Sequence, residues 1–166
     1  MNKLIIIAAI GKNNELGKDN DLIWRFKGDM RFFKNNTIGH HILMGKNTYY
    51  SLPKLLPERK HIVLSTKENN LPDDVIVIKS IAEFNELVKD INDNIFVIGG
   101  ASIYDLMLPF TDEMLLTHIN AECIDADVYF PKFKDEEWDK ELLEINKEND
   151  IEYSHVLYKR KNKEHL

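Results

Sequence analysis

Ile95-Phe96-Val97-Ile98-Gly99-Gly100-Ala101-Ser102-Ile103-Tyr104 is the stretch whose reading decides the fold. Four apolar residues end abruptly in two glycines, and small, helix-compatible residues then lead to Leu106, Met107 and Leu108. The pattern predicts a strand buried on both faces that hands over to a helix. A Gly-Gly turn at such a handover leaves backbone N–H groups with no side chain in front of them, and those groups can receive a phosphate. It can equally be no more than a tight connection, and the stretches on either side have to decide.

Upstream, residues 4–10 show no polar alternation, which places them in a central strand covered on both faces. Residues 11–20 break that pattern with two glycines, three asparagines and scattered charge. They predict a loop longer than the usual connection, and long loops in compact domains tend to be functional. In residues 22–34, a helical reading puts Phe26, Asp29, Met30 and Phe33 on one face, so that a carboxylate lies in an apolar stripe. The alternative makes Asp29 the N-cap of a helix that starts after Gly28.

His41-Ile42-Leu43-Met44 predicts a second short strand, ended by Gly45-Lys46-Asn47-Thr48. The Gly-Lys pair is not a P-loop, because the upstream glycine is at the wrong distance and Asn47 stands where Ser or Thr is required. A glycine, a cation and a hydroxyl after a strand can still present a helix start to a phosphate. Residues 61–64 and 75–78 predict further strands. Ser80 with Glu83 forms a capping box that opens an amphipathic helix through Phe84, Leu87 and Val88. Strands therefore alternate with helices up to Leu108, which favours a mostly parallel sheet. Beyond Pro109, residues 114–119 form a strand, and residues 141–145 and 152–158 flank the turn signal Asn149-Asp150 as an antiparallel hairpin at the edge. A charged tail runs over residues 159–164.

Composition narrows the class. The 166 residues fit one domain, and 43% hydrophobic with 30% charged residues describe an ordinary soluble globule. The apolar run at residues 4–10 is too short to span a bilayer and lacks a signal-peptide cleavage pattern. Cys123 is the only cysteine, so no internal disulfide forms and a reducing cytoplasm is the expected compartment. A net charge of -6 argues against broad nucleic-acid binding, and any anionic ligand must be held by a few local cations.

Taken in order, several separated stretches resemble dihydrofolate reductase. They are Ile7-Ala8-Ala9, Leu16-Gly17 with Trp24, Asp29 ahead of Phe33-Lys34, Met44-Gly45-Lys46-Asn47-Thr48, Leu56-Pro57-Glu58-Arg59, Ile98-Gly99-Gly100-Ala101, Tyr104, Leu116-Thr117-His118-Ile119, and Asp127 through Pro131. No single piece is specific; their order and spacing from Leu4 to about Arg160 are. The resemblance implies one α/β domain over residues 1–166, with a mostly parallel central sheet flanked by helices, an antiparallel C-terminal hairpin edge, and an adenosine-binding subregion at about 40–90. It implies NADPH-dependent reduction of dihydrofolate, by hydride transfer and protonation of the pteridine.

By that resemblance Asp29 is the ionisable group at the pteridine and supplies or relays the proton through a water near Trp24. An apolar face raises a carboxyl pKa toward the working pH, which suits that task. Ile7, Ala8, Met30, Phe33, Leu52 and Leu56 would form an apolar slot for flat rings, and the Arg59 fork would pair with the substrate's glutamate carboxylate. On the cofactor side the resemblance implies Ala9, Gly17, Ile98, Gly99, Gly100, Ala101 and Ser102, with Lys46, Asn47 and Thr48 on the neighbouring strand end. Ser65, Thr66 and Lys67 would face the adenosine ribose. The family commonly joins two such glycines by a cis peptide, so Gly99-Gly100 is predicted cis. Tyr104 and Thr117 match family positions near the nicotinamide and behind the carboxylate, and each is equally readable as a satisfied buried hydroxyl.

The chain departs from the family in places. Lys46 and Ser102 stand where arginines are common, so the ribose 2′-phosphate would be gripped by fewer forks, with Lys67 as a compensating point charge. Ile23 stands where proline is usual before the tryptophan, which leaves residues 11–24 less stiff. That loop is predicted to close over the nicotinamide, supported through Asp127. No metal site is predicted, since His40 and His41 are adjacent without further clustered ligands. The expected partner is the small-molecule substrate alone, with no nucleic acid and no membrane, and the chain is expected to be monomeric. The rival readings are a related reductase for another pterin-like or pyrimidine-like substrate, and a non-catalytic nucleotide-binding module.

Overall fold

A computed structural model describes residues 2–19, 21–67 and 71–161, so residues 162–164 of the charged tail lie outside it. The chain opens with β1 (Leu4–Ile10), β2 (Glu15–Lys18), β3 (Asp21–Leu22) and α1 (Lys27–Thr37). Next come β4 (His41–Gly45), α2 (Lys46–Ser51), β5 (Lys60–Leu64) and β6 (Val75–Ile78). They are followed by α3 (Ile81–Val88), β7 (Ile95–Gly99), α4 (Ala101–Met107) and β8 (Glu113–Ile119). β9 (Val128–Tyr129), β10 (Trp138–Glu148) and β11 (Ile151–Arg160) complete the order.

The apolar runs without alternation become the middle of one eight-stranded sheet, ordered β10-β11-β8-β1-β7-β4-β5-β6. The six strands from β8 to β6 in that order are parallel, as a strand-helix alternation requires. β11 runs antiparallel to β8 and β10 antiparallel to β11, which gives the hairpin edge. Asn149 and Asp150 turn that hairpin with φ of 52° and 62°, the left-handed pair that matches strand twist.

Both faces of the parallel strands are covered. Ile5 and Ile7 pack with Ile42, Met44, Val63, Phe96 and Leu115 toward α1, whereas Leu4, Ile6, Ala8 and Ile10 pack with Phe84, Ile103 and Tyr104 toward α3 and α4. Each such side chain, fully buried, contributes roughly 1.5–3 kcal/mol, so the sheet interior is the main source of stability. β7 inserts between β1 and β4, so the chain moves out to one side of β1 and returns to the other. The strand order reverses there, and in sheets of this kind ligands bind outside the carboxyl ends of the strands at that reversal. Among the described residues no helix is long and apolar enough to cross a membrane.

Several local expectations need correction. Of the segment expected as a loop, Asn20 lies outside the described residues, and residues 11–19 are not a plain loop: β2 pairs with β3 and with β9 in a separate three-stranded sheet. Gly17 permits this, because a Cβ there would lie 3.0 Å from the Asp21 carbonyl oxygen. Leu22 belongs to β3, and the helix starts only at Lys27. Asp29 is not an N-cap; Phe26 holds that position and offers no side-chain bond. In the capping box, Ser80 accepts from Glu83 N at 3.1 Å as expected, but the Glu83 carboxylate reaches back to Lys79 N rather than to Ser80 N.

Gly45 ends β4 where α4 crosses it, and a Cβ at that position would lie 2.8 Å from Ile103 Cγ1. Neither partner can retreat easily, since Ile103 is itself buried in the core. Gly45→Ala is therefore expected to destabilise the protein by about 1–3 kcal/mol. Urea unfolding would measure this; a midpoint equal to the parent's would mean that the β4–α4 contact is looser than described.

Candidate active site

The site is built on the first turn of α1, which lies over the carboxyl ends of β1 and β8. A helix start leaves backbone N–H groups unsatisfied, and Phe26 cannot serve them. The carboxylate of Glu148, at the end of β10, does so from 120 residues away, accepting from Lys27 N and Gly28 N at 2.9 Å each. Tyr153 donates its hydroxyl to the same carboxylate, and its ring stacks on Phe26 with centroids 4.7 Å apart. The fit is tight at Gly28, where a Cβ would come within 2.2 Å of the Tyr153 hydroxyl. The hairpin thereby fixes the height and rotation of α1, and with it Asp29.

Asp29 leaves 23% of its side chain exposed. Thr117 on β8 donates to Asp29 Oδ1 at 2.6 Å, and His155 on β11 lies behind Thr117 with Nδ1 2.9 Å from the threonine oxygen. Burial pushes the Asp29 carboxyl above the ordinary carboxylate range. The Thr117 bond and nearby His155 act in the opposite direction, and the Glu148 charge adds to the rise. A carboxyl so poised, half-buried yet reachable, is suited to accept a proton from solvent and deliver it to a ligand.

Around it, Ile7, Phe33, Leu52 and Leu56 belong to the apolar cluster on the α1 face. Met30 lies one position beyond Asp29 with 58% of its surface exposed, at the open edge of the helix rather than in its packed stripe. Ala8 departs from expectation: it points into the opposite core, because alternate residues of a strand face opposite sides, so only its backbone borders the α1 face. Ala9 packs instead against the cluster of Phe26, Ile119 and Tyr153, as Trp24 does. Trp24 sits against Gly11, where a Cβ would come within 2.7 Å of the indole ring.

Arg59 is braced from behind. Its Nε donates to the Pro57 carbonyl at 3.0 Å and one terminal nitrogen to Thr37 Oγ1 at 3.2 Å, and among the described residues no carboxylate lies within ion-pair distance of it. His61 holds the same loop, accepting at Nε2 from Leu56 N at 3.0 Å while Nδ1 faces the Arg59 carbonyl at 3.1 Å. A recess of about 450 Å³ opens beside it, lined by Leu55, Leu56, Arg59, His61 and Ile76 among others. A second recess of about 670 Å³, bordered by Lys12, His118, Lys132 and Tyr158, contains none of the predicted site residues.

On the other side of β7, two helices begin next to each other. α2 starts after Gly45 and α4 after Gly100, on the adjacent strands β4 and β7, where Met44 is in register with Gly99. The Gly99-Gly100 peptide is cis, and Gly99 has a φ of +125°, which a side chain would strain. A Cβ on Gly100 would meet Thr48 Oγ1 at 3.5 Å, so the absent side chain leaves an open cradle between the two helix starts. Lys46, Asn47 and Ser102 are exposed around it, while Ile98, Thr48 and Ala101 are half-buried. Tyr104 is a satisfied buried hydroxyl, donating to the Ile7 carbonyl at 2.8 Å. Past β5, Ser65 is buried, whereas Thr66 and Lys67 are exposed. Among the described residues no group of three His, Cys, Asp or Glu side chains is placed to hold a metal.

The segment ahead of Trp24 is tied to the β8–β9 connection. Asp19 N donates to Asp127 Oδ2 at 3.1 Å, Asp127 N to the Gly17 carbonyl at 3.1 Å, and Lys18 pairs with Asp125 at 2.7 Å. Buried Glu15 adds a second tie by accepting from Asn13 N at 2.7 Å and from Cys123 N at 2.8 Å. Burial would raise its pKa, yet these backbone donors hold it below the ordinary value.

Sequence reasoning did not find Glu148, Tyr153, Glu15 or His155. Glu148 carries no local signal, since its partners are remote in the chain. His155 does carry one: the alternation Tyr153, His155, Leu157 puts it on the inward face of β11.

Residues 3–160 match the family described as Dihydrofolate reductase. The chain is 33% identical over 159 residues to the dihydrofolate reductase of Bacillus subtilis (strain 168), covering 94% of each protein. To the Staphylococcus haemolyticus dihydrofolate reductase it is 31% identical over 161 residues, covering 95% of this chain and 96% of the other. To that of Haemophilus influenzae it is 37% identical over 142 residues, covering 86% and 87%.

Because Glu148 is the only carboxylate that serves Lys27 N and Gly28 N among the described residues, Glu148→Ala is expected to lower the thermal midpoint. It should also speed amide hydrogen exchange at Lys27 and Gly28 ahead of the rest of α1. Exchange at the parental rate would show that the helix start is held by something else.

Proposed function

The chain belongs to the dihydrofolate reductase family, and on that premise we propose a residue-by-residue account of how it reduces 7,8-dihydrofolate to 5,6,7,8-tetrahydrofolate. The observation that carries it is the Asp29 carboxyl, half-buried on α1, anchored through one oxygen by Thr117 and shifted upward by burial, so that it keeps its proton to a higher pH than an exposed aspartate does.

Asp29 binds the amide-like edge of the pteridine and supplies the proton that the imine nitrogen gains, relayed through a water beside Trp24. Thr117 occupies Oδ1, which leaves Oδ2 for the ligand and its water. Ile7, Phe33, Leu52 and Leu56 exclude solvent around the flat ring, with Met30 closing over its exposed edge, the Ala8 backbone as part of the floor, and a dry pocket sharpens the carboxyl's preference for the proton. Arg59 receives the glutamate carboxylate of the substrate; braced by Pro57 and Thr37, its fork is already ordered before the ligand arrives.

A nicotinamide cofactor fits the cradle between α2 and α4, and NADPH is the proposed form; when bound it supplies the hydride. Gly99, Gly100 and Ala101 offer backbone N–H groups to its pyrophosphate, with Lys46, Asn47 and Thr48 on the facing helix start. Ser102 lies exposed beside them. Thr66 and Lys67 supply the ribose and 2′-phosphate contacts, with buried Ser65 shaping the turn beneath them, and residues of about 40–90 make the adenosine subregion. Ala9, Gly17, Ile98 and Tyr104 line the nicotinamide end, Tyr104 by holding the Ile7 carbonyl in place. The segment before Trp24, tied through Asp127 and Glu15, covers that end during the reaction. We propose one chain as the working unit, in the cytoplasm.

The active form of Asp29 is the protonated one, so the rate of hydride transfer is expected to be highest in acid and to fall as pH rises through its raised midpoint. Asp29→Asn should bind both ligands yet reduce dihydrofolate about a hundredfold more slowly at neutral pH, with the deficit shrinking in acid, as followed by NADPH absorbance. Parental activity in this variant would refute the assignment. Arg59→Ala should raise KM for dihydrofolate by roughly 10- to 100-fold with kcat little changed. An unaltered KM would mean that the substrate tail lies elsewhere.

A further inference from the structure

His155 has 0% of its surface exposed and sits on β11 directly opposite Thr117 of β8. Its Nδ1 is 2.9 Å from Thr117 Oγ1, and that hydroxyl donates to Asp29 Oδ1 at 2.6 Å. A threonine hydroxyl has a single proton, and here it is committed to Asp29. The contact at Nδ1 must then be an N–H donating into a lone pair of Thr117, which fixes the tautomer. The other nitrogen, Nε2, is buried and has no hydrogen-bond partner among the described residues. As a lone pair it is tolerable there; as a second N–H it would be an unpaired buried donor on a charged ring, so the imidazole stays neutral.

Packing does not by itself explain a histidine at this position. The ring lies flat on Phe32, with centroids 3.8 Å apart and planes 5° from parallel, and Tyr153 meets it edge-on at 5.7 Å. A phenyl ring would serve both contacts. The charged and titratable groups that face it are Asp29 from α1, 3.8 Å from Nδ1, Glu144 from the paired strand β10, and Tyr153 along its own strand, which answers in turn to Glu148 and Arg31. Burial lowers the His155 pKa in spite of the two carboxylates.

We propose that His155 is a positioning residue for the proton donor: its Nδ1–H locks the Thr117 hydroxyl into donating to Asp29 Oδ1, which confines the Asp29 proton to Oδ2, the oxygen that faces the ligand. This rests on Asp29 acting as the proton donor. Without the imidazole N–H, the Thr117 hydroxyl is free to turn and accept a proton from Asp29. The acid form is then favoured, and part of it donates away from the substrate.

His155→Phe keeps the flat ring and removes the N–H, and His155→Asn restores an amide N–H at similar reach. In pre-steady-state hydride transfer, His155→Phe is expected to move the midpoint of the pH profile upward by roughly 0.5 to 1, with KM for dihydrofolate within about twofold of the parent, and His155→Asn to return it. In a Thr117→Val background the same change should have no further effect. A midpoint unmoved by His155→Phe, or moved equally in the Thr117→Val background, would overturn the proposal. Nitrogen-15 NMR of the His155 ring in the unaltered protein gives a test independent of variant folding and of turnover: the ring proton is expected on Nδ1, and a proton on Nε2 overturns it. Parental behaviour of Asp29→Asn would instead strike at the proton-donor reading itself, while leaving the ring measurement to stand or fall separately.

Discussion

The hydrogen bond from Thr117 to Asp29 Oδ1 joins the two halves of the architecture, one residue coming from a strand near the middle of the sheet and the other from the helix laid over it. Its geometry depends on where α1 begins, and that is set by Glu148 at the far end of the chain. The antiparallel hairpin is therefore more than an edge. It carries a carboxylate to a helix start with no cap of its own, and an imidazole to the back of the threonine. Two negative groups, Glu148 and Asp29, end within one turn of helix, and their proximity combines with burial to favour the protonated form of Asp29.

The sheet divides the labour between its two sides. Toward α1, Ile7 belongs with Phe33, Leu52 and Leu56 to one apolar cluster on the same face as Asp29. Across β7, glycines at the ends of β4 and β7 bring two helix starts close enough for a polyanion to be held by backbone N–H groups and a few cations. That arrangement suits a chain with a net charge of -6, because backbone donors attract an anion locally without a basic surface. The strand reversal puts the α1 face with Asp29 and the paired helix starts of α2 and α4 at the carboxyl ends of neighbouring strands.

Much of this was legible in the sequence because it is written in local pattern. Uninterrupted apolar runs at residues 4–10 and 95–98 marked doubly covered parallel strands, Ser80 with Glu83 marked a helix start, and Asn149-Asp150 marked the hairpin. What escaped was non-local. No spacing rule connects Glu148 with Gly28, so local sequence left Asp29 equally readable as an N-cap and as a carboxylate in an apolar stripe. The short strands β2 and β3 were hidden because their apolar content is too low for alternation to register, and their pairing depends on β9 more than a hundred residues later. Ala8 was placed in the apolar slot by the resemblance, whereas strand geometry sends its side chain to the opposite face from Ile7.

The account stands on the protonation behaviour of one group, and the most direct measurement is a carboxyl carbon-13 NMR titration of the ligand-free protein, with the Asp29 resonance assigned by its loss in an asparagine variant. The expected result is a midpoint clearly above that of an exposed aspartate. A midpoint at or below the ordinary value would contradict the account, since Thr117 and His155 would then outweigh burial and Asp29 would hold its proton no better than an exposed aspartate.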